Sequence, residues 1–203
     1  TGNQKNKKVL SIRQSLTETW EQLERLHEHK DELRGVPTGF PGLDNLRAGS
    51  QKSDLVIIAA RPSVGKTTLA LDIARHAATK GNVPVAIFSL EMSAMQLTQR
   101  MLAAQSRVNA WRLRIGRSQS DEYGRMQDAI GELSKAPIYI DDQAGNTVNH
   151  IRSSARRLQR EFNLGLIIVD YLQLMTTTKH YDSMVNQVTE ISRSLKGLAR
   201  ELN

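Results

Sequence analysis

The chain has no cysteine, few aromatic residues and no long apolar run. Without cysteine it can form neither a disulfide framework nor a thiolate metal site, so a reducing, cytoplasmic setting is the simplest expectation. Aromatic residues make up only 4% of the sequence, which argues against a stacked aromatic platform for single-stranded nucleic acid. No segment approaches the roughly 20 apolar residues of a membrane span. The polar N-terminal region also lacks a signal-peptide core, so we expect no membrane partner.

Positive charge is in excess. Lys and Arg number 28 against 21 Asp and Glu, which gives a formal net charge of +7. This balance favours polyanionic partners, although it does not by itself identify nucleic acid. The 203 residues suit one sizeable domain with a short additional element.

The additional element is N-terminal. Residues 1–8 are polar and lysine-rich, a composition that predicts disorder. From Val9 to His29, apolar residues recur at helical spacing, and this stripe consists of Ile12, Leu16, Trp20, Leu23 and Leu26. A stripe this narrow is equally compatible with packing on its own domain and with docking on a neighbour. We therefore predict a tail and linker helix over residues 1–34 and one domain over residues 35–203.

Short apolar segments alternate with helical segments through the rest of the chain. The predicted strands are 55–59, 83–90, 137–140 and 164–169, and the predicted helices are 66–79, 93–105, 121–133, 147–162 and 184–202. Residues 36–44 are rich in turn formers and predict an ordered loop. Near-continuous apolar strands are typical of a parallel sheet that is buried on both faces. The alternation therefore predicts an α/β domain with a mostly parallel sheet flanked by helices.

A loop rich in turn-forming residues separates the first predicted strand of the domain from its first helix. It consists of Ala60, Arg61, Pro62, Ser63, Val64, Gly65, Lys66 and Thr67, and Thr68 follows it. In such a loop, backbone N–H groups and the helix N-terminus face an anion, and the lysine adds a positive charge. The threonine hydroxyl is then placed to ligate Mg²⁺. The usual phosphate-loop pattern begins with glycine, where this chain has Ala60. The predicted strand before the loop and the predicted helix after it nevertheless favour a phosphate loop for ATP or GTP over a chance turn.

Acidic residues follow three of the predicted strands. In an open α/β sheet ligands bind beyond the carboxyl ends of the strands, so these acids are candidates for chemistry. Asp170 fits a magnesium-coordinating role, and Glu91 fits the activation of a water for in-line attack. Each also fits a structural role: Glu91 as the cap of the helix at 93–105, and Asp170 as the start of a turn. For Asp141 and Asp142, capping the next loop is at least as well supported as binding a metal.

The basic residues and histidines carry weaker signals. Arg100 lies nine residues beyond Glu91, and from the sequence alone a solvated helix charge is the better interpretation. The five histidines have no metal-ligand spacing. One further segment has arginines at helical spacing: Arg152, Arg156, Arg157 and Arg160. Such a set could contact the backbone of a nucleic acid, but a solvated helix face is the commoner outcome.

With these residues in hand, the chain closely resembles the RecA-like motor domain of DnaB-type bacterial replicative helicases, from about Gly35 onward. The segments that carry the resemblance are Pro37–Phe40 with Leu43–Asp44, Ala59–Thr67, Phe88–Met92, Arg100–Leu102, Tyr139–Asp142, Asp170–Leu174 and Glu190–Lys196. Ala60 is itself normal in that family, whose loop typically begins Ala-Arg-Pro-Ser.

The resemblance implies an ATP-dependent helicase that moves 5′ to 3′ on single-stranded DNA as a homohexameric ring. By motif position it assigns Lys66 and Thr67 to the phosphates and Mg²⁺, Glu91 to water activation and Asp170 to the metal. It also promotes Arg100 to a nucleotide contact. The N-terminal helix resembles the family's linker helix, which docks on the adjacent subunit. Residues 175–185 would lie towards the DNA channel, with Lys179 and His180 as weak candidates there.

The family has further parts that the resemblance does not find in this chain. They are an N-terminal collar that binds primase, a strand ending in a Gln sensor, DNA-contacting loops and an arginine finger; a helicase loader is a further partner. We expect the extra strand to insert between the strands at 55–59 and 164–169, so that the chain alone leaves unpaired backbone there. The chain alone is therefore expected to have weak or no helicase activity.

Two other functions stay open. The first is a RecA-like module that uses ATP to assemble rings and bind partners without translocation. The second is a relative of the recombinases, although the segments Ser89–Met92 and Asp170–Gln173 favour the helicase. A translocase that neutralises several phosphates loses affinity for single-stranded DNA steeply as salt rises, which distinguishes it from the assembly module.

Overall fold

Helices alternate with strands along most of the chain. A computed structural model describes residues 11–28, 35–117, 119–176 and 183–203. Its elements, in chain order, are α1 (Ile12–Glu28), α2 (Pro41–Arg47), α3 (Lys66–Thr79), β1 (Val85–Ser89), α4 (Ala94–Ser106), α5 (Ala110–Arg114), α6 (Ser120–Leu133), β2 (Ile138–Asp141), α7 (Val148–Phe162), β3 (Leu166–Asp170), a 3₁₀ turn (Leu172–Leu174) and α8 (Met184–Leu202).

The chain divides into two compact units, residues 1–33 and 34–203. Helix α1 is the described element of the first unit, where Trp20 donates a hydrogen bond to Glu24 at 2.7 Å. All other helices and strands named above belong to the second unit. Among the described helices, none is both long and apolar enough to cross a bilayer.

The three strands form one parallel sheet in the order β2-β1-β3. Val85 pairs with Ile138 on one side and with Leu166 on the other, so β1 is the central strand. All five residues of β1 are buried, and the first four are apolar, as is typical of a strand covered on both faces. The predicted α/β architecture, a parallel sheet flanked by helices, is confirmed.

Two apolar clusters cover the two faces of β1. Side chains alternate along a strand, so Val85 and Ile87 face one cluster while Ala86 and Phe88 face the other. The first cluster is completed by buried residues of α3 and α4, namely Leu71, Ala74, Ala77, Ala78, Leu97 and Met101. The second is completed by Ile151, Ala155, Leu164, Met175, Ile191, Leu195 and Leu198, mostly from α7 and α8. The sheet therefore presents its strand ends, rather than its faces, to a ligand.

The prediction of a strand at residues 55–59 is wrong. This segment makes no ladder with a described strand, and Val56, Ile57 and Ile58 are 45%, 60% and 37% exposed. Its apolar composition is that of a buried strand, but a strand also needs a neighbour that supplies hydrogen-bond partners. No described strand pairs with it.

Two short helices depart from the predicted pattern. Residues 36–44 are not all loop, because Pro41 begins α2 as a proline in the first helical turn can. Buried Asp44 fixes the preceding chain, since its Oδ1 accepts hydrogen bonds from the Thr38 backbone N–H at 2.9 Å and hydroxyl at 2.8 Å. Helix α5 was not predicted, although Asn109 caps it by accepting from the N–H of Trp111 at 2.9 Å.

Candidate nucleotide-binding site

The loop that precedes α3 has the backbone of an anion-binding turn. Ser63 and Gly65 have φ values of +64° and +104°, in the left-handed region. No atom lies within 4 Å of a Cβ built on Gly65, so glycine is needed there for its backbone conformation and not for space. Helix α3 then begins at Lys66 with no side-chain cap and no acid in its first turn. Its first N–H groups are therefore available to an anion.

Three side chains meet where this loop approaches the end of β3. The Thr67 hydroxyl donates to Asp170 Oδ2 at 2.6 Å, and Lys66 Nζ lies 3.6 Å from Asp170 Oδ1. Lys66 Nζ also lies 4.0 Å from the centroid of the Tyr171 ring. Asp170 is only 6% exposed, so these contacts offset the cost of burying its charge. The structure thus brings together the sequence-predicted Lys66, Thr67 and Asp170.

Strand pairing brings Glu91 to the same edge. Ser89 pairs with Asp170, and the ladder continues one residue further because the Leu90 N–H donates to the Asp170 carbonyl at 2.8 Å. Glu91 follows directly, and its exposed side chain has no hydrogen bond or ion pair with another described residue. It does not cap α4, because Ser93 does so by accepting from the Gln96 N–H. The structural alternative for Glu91 is therefore not supported.

The acids at the end of β2 have local partners. Asp141 accepts hydrogen bonds from the Gln143 N–H and the Asn146 amide, and its Oδ2 lies 2.8 Å from His150 Nε2. Asp142 Oδ2 accepts from the Ala94 N–H at 2.7 Å. Within the described ranges, no group of three or more His, Asp or Glu side chains could hold a metal ion. These contacts favour the loop-capping interpretation of Asp141 over the metal one, whereas Asp142 contacts the start of α4 and not the loop that follows it.

We expect Asp141 to make the stability of the protein depend on acid pH. Burial raises the pKa of Asp141, but the hydrogen bonds from His150, Gln143 and Asn146, with the charge of His150, outweigh it and leave the pKa below its ordinary value of 3.8. A lowered folded-state pKa means that the carboxylate stabilises the fold above the unfolded value, and that this contribution is lost as pH falls through the folded value.

Urea unfolding of wild type and Asp141→Asn measures this effect. At pH 6 we expect the variant to lose about 1 kcal/mol in the free energy of unfolding, because hydrogen bonds to an ion are replaced by weaker ones. The difference should begin to shrink only below the unfolded pKa, near about pH 4, and should disappear only below the folded pKa, which lies lower still. An equal difference at pH 6 and at about pH 2 would contradict the assignment.

Arg100 and Thr68 line one cavity beside α3. The cavity has a volume of about 650 Å³ and lies between α3, α4 and α5. Asp72, Trp111 and Arg114 also line it. Sequence reasoning missed the last two, which lie on α5; the Asn109 cap was the available signal for that helix.

The arginines of α7 divide into two groups. Arg152 and Arg156 both contact Glu201 of α8, Arg152 with 3.7 Å from its Nε to Glu201 Oε2. Arg157 and Arg160 are exposed. The stripe is thus partly an inter-helix contact and partly a solvated face. The candidates Lys179 and His180 lie outside the described residues.

Comparison with known proteins identifies the family. A profile of the DnaB-like helicase C terminal domain matches residues 35–203. A protein named replicative DNA helicase DnaB, from Geobacillus stearothermophilus, is 50% identical over 193 residues, which are 95% of this chain and 42% of that protein. The chain therefore spans less than half the length of this curated relative.

Solved structures agree with this match. A solved ATPase domain superposes with a TM-score of 0.87 at 37% identity, over 95% of this chain and 68% of that one. A DnaB-like replicative helicase, solved in a study of its interactions with primase, superposes with a TM-score of 0.84 at 36% identity, over 95% of this chain and 46% of that one. The profile covers most of the sequence, and the chain belongs to the DnaB-like helicase C-terminal domain family.

Proposed function

We propose that this chain is the ATP-hydrolysing motor of a replicative DNA helicase that moves 5′ to 3′ on single-stranded DNA in the cytoplasm. The observation that carries the proposal is the meeting of Lys66 and Thr67 with buried Asp170, on the strand next to the one that leads to Glu91. Family membership supports the same reaction, because relatives are named replicative DNA helicases.

The residues of the site suit phosphoryl transfer to water. The left-handed turn at Ser63 and Gly65 and the uncapped start of α3 would hold the phosphates of ATP through backbone N–H groups. Lys66 would place its charge on the β- and γ-phosphates. Glu91, exposed and without a described partner, would orient a water in line with the γ-phosphate and accept its proton.

The donor set beside Lys66 fits Mg²⁺. Thr67 and Asp170 offer oxygen atoms 2.6 Å apart, and Mg²⁺ is usually held by one or two protein oxygens together with phosphates and water. We propose that these two residues hold it. When bound, Mg²⁺ neutralises charge on the phosphates. The protein's part is to keep both oxygens at this edge of the sheet.

The cavity beside α3 is the proposed place for the rest of the nucleotide. Thr68 follows Thr67 in the first turn of α3, so this cavity adjoins the phosphate loop. Arg100 lines it as well, which supports the role that the resemblance gave it.

The proposed partners come from the family. We propose a homohexamer in which α1 docks on the adjacent copy, with primase and a helicase loader as further partners of the whole protein. One superposed relative was studied with primase, which supports the primase assignment. The spacing of Ile12, Leu16, Trp20 and Leu23 on α1 suits a helix that docks by one face.

Unwinding of forked DNA tests the function. We expect the full-length protein that contains this chain to unwind a fork with a 5′ tail when ATP and Mg²⁺ are present, and a fork with only a 3′ tail to remain paired. The chain alone should unwind weakly or not at all, because the segment 55–59 that leads into the phosphate loop has no described strand partner. Robust unwinding by the chain alone would contradict this second expectation.

Affinity for single-stranded DNA separates the motor from an assembly module. For the full-length protein, we expect log affinity to fall linearly with log salt, with a slope of about −0.7 for each phosphate neutralised. A protein that assembles rings with ATP but shows no salt-dependent DNA binding would contradict the motor and favour the module.

A further inference from the structure

We propose that Asp142 is a positioning residue that fixes the turn carrying Glu91. This inference rests on the proposed role of Glu91 as the base that activates water. Asp142 Oδ2 accepts a hydrogen bond from the Ala94 N–H at 2.7 Å, across 48 residues of sequence. Ala94 is the first residue of α4, three positions beyond Glu91.

The turn that carries Glu91 is held at both ends. At its start, buried Ser89 donates from its hydroxyl to the Met92 carbonyl at 2.7 Å and accepts from the Met92 N–H at 3.1 Å. At its end, Ser93 and Gln96 form a reciprocal cap, and Asp142 holds the next N–H. Glu91 lies between these anchors with an exposed carboxylate that contacts no described partner. Its position therefore depends on the anchors and not on contacts of its own.

The sheet explains why Asp142 can reach this turn. Phe88 pairs with Asp141, so β2 and β1 end side by side and Asp142 follows at the edge next to the Glu91 turn. A carboxylate that accepts from a helix N-terminal N–H is also favoured by its charge. Ser93 and Gln96 already cap the start of α4. The hydrogen bond that Asp142 accepts from Ala94 additionally connects the Glu91 turn to the residue that follows β2. A base must lie within hydrogen-bond reach of its water. Removing this hydrogen bond should therefore lower the rate of ATP hydrolysis more than the affinity for ATP.

The test measures DNA-stimulated ATP hydrolysis by the full-length protein that contains this chain. For Asp142→Ala we expect kcat to fall about tenfold while KM for ATP changes less than twofold, since misplacement of a catalytic group lowers the rate of the step. Asp142→Asn should retain most of kcat, because its amide oxygen still accepts from Ala94. Asp121→Ala is the matched control, since Asp121 is an exposed acid in the first turn of α6 and pairs only with Arg125 among the described residues.

A second variant removes the same hydrogen bond from the donor side. Ala94→Pro takes away the N–H, and proline is tolerated at the first position of a helix. The preceding Ser93, with φ −69° and ψ 155°, already has the conformation that a following proline requires. We expect this variant to reproduce the loss of kcat seen with Asp142→Ala. A wild-type kcat for Ala94→Pro would overturn the proposal.

The double variant with Glu91→Gln separates positioning from a general structural role. If Asp142 acts through Glu91, adding Asp142→Ala to Glu91→Gln should lower single-turnover hydrolysis no further. A further tenfold loss in the double variant would overturn the inference while leaving the role of Glu91 intact. Near wild-type turnover in Glu91→Gln alone would instead refute the proposed base, and with it this inference.

Discussion

Glu91→Gln is expected to lower ATP turnover by about 10²–10⁴-fold while ATP binding stays within a few-fold of wild type. Glutamine keeps the size of the side chain but cannot accept a proton from water. The phosphate loop, Lys66 and Thr67 are untouched, and the exposed Glu91 carboxylate has no described partner whose loss would disturb the fold. A selective loss of chemistry is therefore the expected signature of a base.

Two measurements check this expectation on the full-length protein. Phosphate release in the presence of single-stranded DNA reports turnover, and fluorescence anisotropy of a labelled ATP analogue reports binding. Glu161→Gln is the control, because Glu161 is an exposed glutamate in the last turn of α7, which leads into the start of β3 and not to its carboxyl end. Turnover within threefold of wild type for Glu91→Gln would show that another group activates the water.

The strand segments show how far sequence patterns reach. The apolar runs near 85–89 and 55–59 look alike, yet only the first is a strand. Composition predicts that a segment seeks burial, but it does not say whether a neighbouring strand is present to complete its hydrogen bonds. The central position of β1 follows from two such neighbours, which lie 53 and 81 residues away at Ile138 and Leu166 when counted from Val85.

The site residues divide in the same way. A local pattern was enough to single out Lys66, Thr67 and Asp170, because a loop between strand and helix and an acid after a strand are short-range signals. The assignment of Asp142 needed the structure, since its partner Ala94 lies on another element 48 residues away. Glu201 likewise contacts two arginines of α7, and no sequence spacing indicates that pairing. Patterns locate candidate groups, whereas the contacts that orient them depend on packing between distant segments.

Lys66→Ala is expected to weaken ATP binding and to lower turnover by about 10²–10³-fold, the loss seen when one preorganised donor to transition-state charge is removed from an active site. The lysine is expected to contact the β- and γ-phosphates in the ground state as well as in the transition state, so both binding and chemistry should suffer. This distinguishes the variant from Glu91→Gln, in which binding survives. Lys66→Arg should recover only part of the activity, because a planar guanidinium does not replace a compact ammonium.

Lys80→Ala is the matched control for this prediction, because Lys80 is an exposed lysine that follows the opposite end of the same helix, α3. It should bind and hydrolyse ATP as wild type does.

Loss of Lys66 should also lower the stability of the fold. It leaves Asp170, which is 6% exposed, with the Thr67 hydroxyl but without the positive charge of Lys66. Thermal unfolding should therefore begin at a lower temperature in Lys66→Ala than in Lys80→Ala. Tight ATP binding and full turnover in Lys66→Ala would contradict the phosphate loop itself, and the nucleotide would then have to bind elsewhere on the domain.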